Sequence, residues 1–166
     1  MARTFTTQWE APEVTLPTTA FAEFTTQNVR PVNAFDATAD ESVILEGIVP
    51  AEFTGAGTLK LRLLVMANTT TAADDARIDV VTEFRTPGAG ESGNVDNFDG
   101  TADSGTLTFS TTAYEVRALT VTLTPATTPA AGDKFRVKVS RDANHVSDDT
   151  LAVDLLVMAY ELYEEV

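Results

Sequence analysis

A chain of 166 residues with 43% hydrophobic and 22% charged side chains is long enough for one domain with its own core, and too apolar to be a disordered tail. A net charge of −14 and a pI of about 4.2 repel phosphate backbones and anionic lipid, which argues against nucleic acid or a membrane as partner. The absence of cysteine excludes a disulfide framework, a thiol nucleophile and a cysteine-ligated metal.

Residues 1–40 read as an extended N-terminal arm. They hold the pairs Thr6-Thr7, Thr18-Thr19 and Thr25-Thr26, the prolines Pro12, Pro17 and Pro31, and the spaced aromatics Phe5, Trp9, Phe21, Phe24 and Phe35. Proline interrupts ladders and helices alike, yet so many large apolar groups are foreign to a disordered segment. Such an arm docks either on its own domain or on a neighbouring subunit, and the sequence leaves both open. In the second case Phe5, Trp9, Phe21 and Phe24 are the interface residues, because large aromatics dominate contact energies. Deleting residues 1–30 is then expected to weaken assembly and leave the remaining domain folded. Met1-Ala2-Arg3-Thr4 lacks the apolar stretch of a signal peptide, and no run approaches the ~20 apolar residues of a membrane span.

Residues 41–166 read as one all-β domain. Strands are expected at Ser42–Val49, Thr58–Met66, Ala76–Arg85, Gly105–Ser110, Val116–Thr124, Phe135–Val139 and Leu151–Tyr163. The signal is apolar/polar alternation or short runs rich in Val, Leu and Thr. The Gly/Pro/Asn/Asp-rich stretch 86–103 reads as a loop held by Val95 and Phe98. Phe135–Val139 and the long apolar run after it read as a hairpin with a long connection, at the heart of an antiparallel, jelly-roll-like β-sandwich.

Chemistry is sparse. His145 is the only histidine, and with Ser147 and Asp148 it lies on one loop, whereas a triad needs groups converging from separate elements. No pair of carboxylates is marked out for glycoside hydrolysis, and no Gly-rich turn joins a strand to a helix. The chain is therefore expected not to be an enzyme. Two oxygen-rich loops could take a structural calcium: Asp142, Asn144, Asp148 and Asp149, or Asn94, Asp96, Asn97, Asp99 and Asp103. The spacing of the second departs from the calcium-loop pattern, which has Phe98 where a ligand belongs. No other cofactor is expected.

Three stretches carry a resemblance: E-S-V-I-L-E-G-I-V-P (Glu41 to Pro50) with the glycine turn after it; E-F-R-T-P-G (Glu83 to Gly88) followed by V-D-N-F-D; and A-G-D-K-F-R-V-K-V-S-R-D-A-N (Ala131 to Asn144) with D-D-T-L-A-V-D-L-L-V-M-A-Y-E-L (Asp148 to Leu162). In order and spacing they resemble a family of virion structural proteins of tailed viruses. The resemblance covers about residues 40–164 and departs where Leu63-Leu64-Val65 and Val80-Val81 stand in place of aromatics. It implies a jelly-roll-like sandwich on the capsid surface, commonly a trimer, that decorates or reinforces a shell of major capsid protein after assembly in the host cytoplasm. The alternative is a tail or fibre accessory protein, or a receptor- or carbohydrate-binding module, for which Phe98 and Tyr114 are the available aromatics.

Overall fold

The computed structural model describes residues 2–69, 74–89, 98 and 100–166. Ten strands run through them: β1 (Arg3–Glu10), β2 (Glu23–Gln27), β3 (Arg30–Phe35), β4 (Glu41–Ile48), β5 (Thr58–Ala67), β6 (Asp75–Arg85), β7 (Asp103–Thr108), β8 (Arg117–Thr122), β9 (Lys134–Arg141) and β10 (Leu155–Glu165). A single 3-10 turn, Ala11–Glu13, follows β1. All pairings between these strands are antiparallel. The larger sheet has six strands in the order β2-β3-β10-β5-β8, with β1 also on β10; the smaller has four, β4-β9-β6-β7.

The pairing is nested. β3 pairs with β10, β4 with β9, β5 with β8 and β6 with β7, so a doubled ribbon of chain is folded over on itself. Alternation supplies the glue. Leu59, Leu61, Leu63 and Val65 of β5 meet Ile78 and Val80 of β6 and Phe135, Val137 and Val139 of β9 in one buried cluster. Each such side chain contributes about 1.5–3 kcal/mol by leaving water. The sandwich is pulled tight where β7 meets β8: a Cβ on Gly105 would come within 2.9 Å of Val121 and 3.1 Å of Leu119.

Two expectations are corrected here. Phe135–Val139 and the long apolar run do not form a hairpin, because β9 lies in the smaller sheet and β10 in the larger. The run also enters the ladder only at Leu155, since the carbonyls of Leu151 and Val153 accept hydrogen bonds from the Arg141 guanidinium instead. β10 is nevertheless the central strand, paired along one edge with β5 and along the other with β3 and β1.

Of the two dockings left open for residues 1–40, β1 and β3 take the first, on their own domain, but as strands of the larger sheet and not as an irregular arm. β1 and β3 share one edge of β10 end to end, β3 taking Leu155–Val157 and β1 Ala159–Glu165. Met158, between them, is skipped in the ladder with β5. Asn33 closes the junction: its amide donates to the Ala11 carbonyl (3.2 Å) and its oxygen accepts from the Tyr160 hydroxyl (3.0 Å). Burial pushes the Tyr160 phenol well above its ordinary pKa, so it stays a donor.

Candidate interaction surface

The β1 half and the β2 half of the first 35 residues treat their aromatics differently. Phe5 and Trp9 are both 8% exposed, inside their own sandwich. Phe5 sits edge-on to Phe53 and Trp9 edge-on to Phe135, with ring centroids 5.6 and 5.8 Å apart. The Trp9 indole N–H reaches the Glu46 carbonyl at 3.3 Å. Two of the four interface residues expected from the sequence are therefore core residues.

The other two stay at the surface. Phe21 is 45% and Phe24 50% exposed, and Leu16 (39%) and Val29 (93%) accompany them, so half of the large apolar side chains exposed among the described residues fall between positions 16 and 29. Architecture explains this. The larger sheet outreaches the smaller by β2, so Phe24, which pairs with the inward-facing Asn33, has no strand of the smaller sheet beneath it. Residues 15–22 run along the open edge of β4, with bridges from Thr15 to Ile44 and from Phe21 to Ser42. The whole strip 14–29 carries one ionisable side chain, Glu23, in a chain with 36 acidic and basic residues (11 + 25).

The strip ends in a strained turn. Asn28 and Val29 link β2 to β3 with φ of +47° and +69°, the left-handed pair of a two-residue hairpin loop. Asparagine tolerates this region, but a β-branched residue there is an outlier that costs on the order of 1–3 kcal/mol. Tyr114 has φ +59° as well. It faces the hairpin across an open cleft of about 240 Å³, whose walls include Gln27, Arg30, Met66 and Val116.

The loop after β9, a candidate calcium site, directs its carboxylates at two arginines. Arg141 is wholly buried: Nε and Nη2 donate to Asp149 at 3.0 and 2.8 Å, and Nη1 to the carbonyls of Asp36 and Val153 at 3.1 and 2.9 Å. Arg77, nearer the surface, reaches Asp79 and Asp148 at 3.0 Å and Asp142 at 3.5 Å. Asn144 instead donates to Asp40 at 3.1 Å. Hydrogen bonds from Ser147 and Arg77 hold the Asp148 carboxyl below its ordinary pKa. The three candidate carboxylates thus meet guanidinium groups, and among the described residues no three histidine or carboxylate side chains are grouped to hold a metal ion. Of the second loop, Asn94, Val95, Asp96, Asn97 and Asp99 lie outside the described residues. Asp103 starts β7 and accepts the Thr124 N–H at 2.6 Å. Phe98 lies against the Arg136 guanidinium, 5.0 Å from its ring centre.

Ser147, His145 and Asp148 do come together, in an order unlike that of a triad. The serine hydroxyl donates to Asp148 at 2.9 Å and not to the imidazole. The imidazole is held from both sides, its Nε2 3.1 Å from the Arg77 guanidinium and its Nδ1 accepting the Asp148 backbone N–H at 3.2 Å. No helix among the described residues is long and apolar enough to cross a membrane.

Leu16 and Val29 escaped the sequence reading, as did the Arg77 hub. The first two had a readable signal, the gap in charge between positions 14 and 29. Arg77 had none, because its partners lie up to 71 residues away. No protein-family model matches the chain, and comparison with curated proteins also finds no match.

Proposed function

We propose that the chain is a structural subunit of a virus particle that decorates or reinforces the capsid surface, built as a jelly roll. The nested pairing supports the winding, since β3-β10-β5-β8 facing β4-β9-β6-β7 is the order of eight strands in two Greek keys, a design used by capsid domains. The sequence resemblance supports the role. The observation that carries the reading is the apolar strip Leu16–Phe21–Phe24–Val29, with Glu23 its one charge, on an otherwise strongly acidic surface. It gives a rigid scaffold one face that gains from being covered by the shell or by a neighbouring copy, while the acidic remainder keeps particles apart. Major capsid protein is the partner, and the capsid surface the location.

The test is co-sedimentation of the purified chain with undecorated shells, followed by copy counting. Saturation at hundreds of copies per particle is expected for decoration, and weaker retention for a Leu16→Ser/Phe21→Ser chain. Binding at a handful of copies, or none, refutes the reading. The cleft beside Tyr114 favours the second reading, a receptor- or carbohydrate-binding module, because an aromatic wall with amides and an arginine is suited to a polar ligand with an apolar face.

A further inference from the structure

We propose that two copies of the chain pair antiparallel through β2, edge to edge, joining their larger sheets into one continuous sheet across a twofold axis. The inference does not depend on a virus particle.

The edge is chemically open. In a two-residue hairpin loop the flanking residues, here Gln27 and Arg30, form a hydrogen-bonded pair, and such pairs alternate along the ladder. Gln27, Thr25 and Glu23 therefore spend their backbone groups on β3. Phe24 and Thr26 direct their N–H and C=O away from it. Pro31 agrees with this register: it stands opposite Thr26 and has no N–H to give. Nothing among the described residues pairs with that outer side of β2.

The other edges are guarded. β4 is bridged by Thr15 and Phe21, and Ser42 exchanges hydrogen bonds with Ala20 and Ala22. β7 and β8 close on each other at Gly105. β1 is irregular between Arg3 and Phe5 and has a charged residue at each end. β2 has no proline or bulge, and Glu23 is its only charge. Natural proteins blunt free edges with such devices, and here they are missing.

The occupant follows from charge and register. Two chains of net charge −14 repel each other, so a self-contact needs a face nearly free of charge, and positions 14–29 supply it. Aligning Thr25 with its own symmetry mate puts Phe24 opposite Thr26 of the second copy, and Thr26 opposite its Phe24. The two outward-facing residues of each copy then exchange four backbone hydrogen bonds. Glu23 meets Gln27 of the other copy, so the two glutamates do not face each other. Both Phe24 rings fall on the same face as diagonal neighbours, a favourable cross-strand arrangement. The family resemblance implies a trimer; β2 by itself is built for two.

The experiment is sedimentation equilibrium over a concentration series reaching about 1 mM. The expected mass is twice the 17.7 kDa of one chain. Thr26→Pro removes an outward N–H without touching the β3 ladder, and Phe24→Glu places like charge at the centre. Each is expected to return the mass to one chain while circular dichroism and melting temperature stay those of a folded sandwich. Amide exchange supplies a readout that survives a poorly folding variant: in the wild-type chain, the Phe24 and Thr26 amides become protected as concentration rises, and that of Thr25 is protected throughout. A single-chain mass across the series, a threefold mass, or a dimer unmoved by both variants overturns the proposal. Shell binding is measured separately, so either idea can fail alone.

Discussion

β1 and the strip around β2 are made of the same material, threonine with spaced aromatics and a proline nearby, yet β1 buries its rings and the strip displays them. Spacing and position in the sandwich make the difference. Phe5 and Trp9 are four apart, so a period of two puts both on one face, with Thr7 between them, and β10 offers an edge on which that face turns inward. Phe21 precedes β2 and bridges the edge strand β4, while Phe24 lies on β2, the outermost strand of the larger sheet, so neither has a facing strand to pack against. The lesson is that aromatic content alone says little about whether a segment is core or contact; parity along a strand and the edge on which that strand docks say more.

The comparison breaks most sharply at β1. Removing residues 3–10 takes Phe5 and Trp9 from the core and uncovers most of one edge of the central strand. The truncated chain is expected to lose cooperative unfolding, measured by urea titration of circular dichroism. A cooperatively folded truncation would return the segment to the status of an arm. At single-residue scale, Trp9→Ala removes the contact with Phe135 and the hydrogen bond to Glu46, for an expected loss of about 3–5 kcal/mol. A loss under about 1 kcal/mol would mean that the ring is not part of the core.

β1 has a second anchor whose strength depends on pH. Glu164, fully buried on β10, accepts from the Thr4 hydroxyl, from the N–H and hydroxyl of Thr54, and from the N–H of Gly57. Burial pushes its carboxyl up, but these four donors prevail and hold the pKa at about 2, against 4.5 for a free glutamate. Gly57 is required by this close approach, since a Cβ there would lie 2.4 Å from the Glu165 carbonyl oxygen. The folded-state pKa is depressed, so the stabilisation is fully present above 4.5 and fades as pH falls from 4.5 towards 2. It is expected to reach about 3 kcal/mol at neutral pH. Glu164→Gln should lower neutral stability and flatten the acid limb of the stability–pH curve. An unchanged acid limb would show that other carboxylates carry it.

What the sequence made legible follows the same logic. The strands from Ser42 onward were readable because their alternation is regular, and the sandwich followed from their number. Their partners were not: adjacency in sequence favours a hairpin from β9 to β10, whereas nested winding sends them to different sheets, and no local pattern records that choice. In the first 40 residues Pro12, Pro17 and Pro31 mask the strand parity of Phe5 and Trp9. Pro12 falls in the 3-10 turn, Pro17 between strands, and Pro31 opposite a residue that needs nothing from it. In the loop after β9, the run of carboxylates was visible, but Arg77 and the wholly buried Arg141 that neutralise them were legible only once β6 and β9 lay side by side.

The strip itself is expected to respond weakly, and in the opposite sense, to changes that would cripple β1. Val29→Gly removes a β-branched side chain from φ +69° and is expected to stabilise the chain by about 0.5–1 kcal/mol, part of the relief being offset by glycine's greater freedom when unfolded. A shift of the urea midpoint in the other direction would mean that Val29 makes contacts worth more than its strain. Smallest of all is Phe24→Ser. With half its surface in water and no strand of the smaller sheet beneath it, this ring is expected to leave monomer stability within about 0.5 kcal/mol of wild type. A residue whose loss costs the fold almost nothing, beside a turn that costs the fold something to keep, fits a surface shaped by contact with another molecule. A loss of several kcal/mol on Phe24→Ser would place the ring with Trp9 in the core and erase the contrast between the two segments.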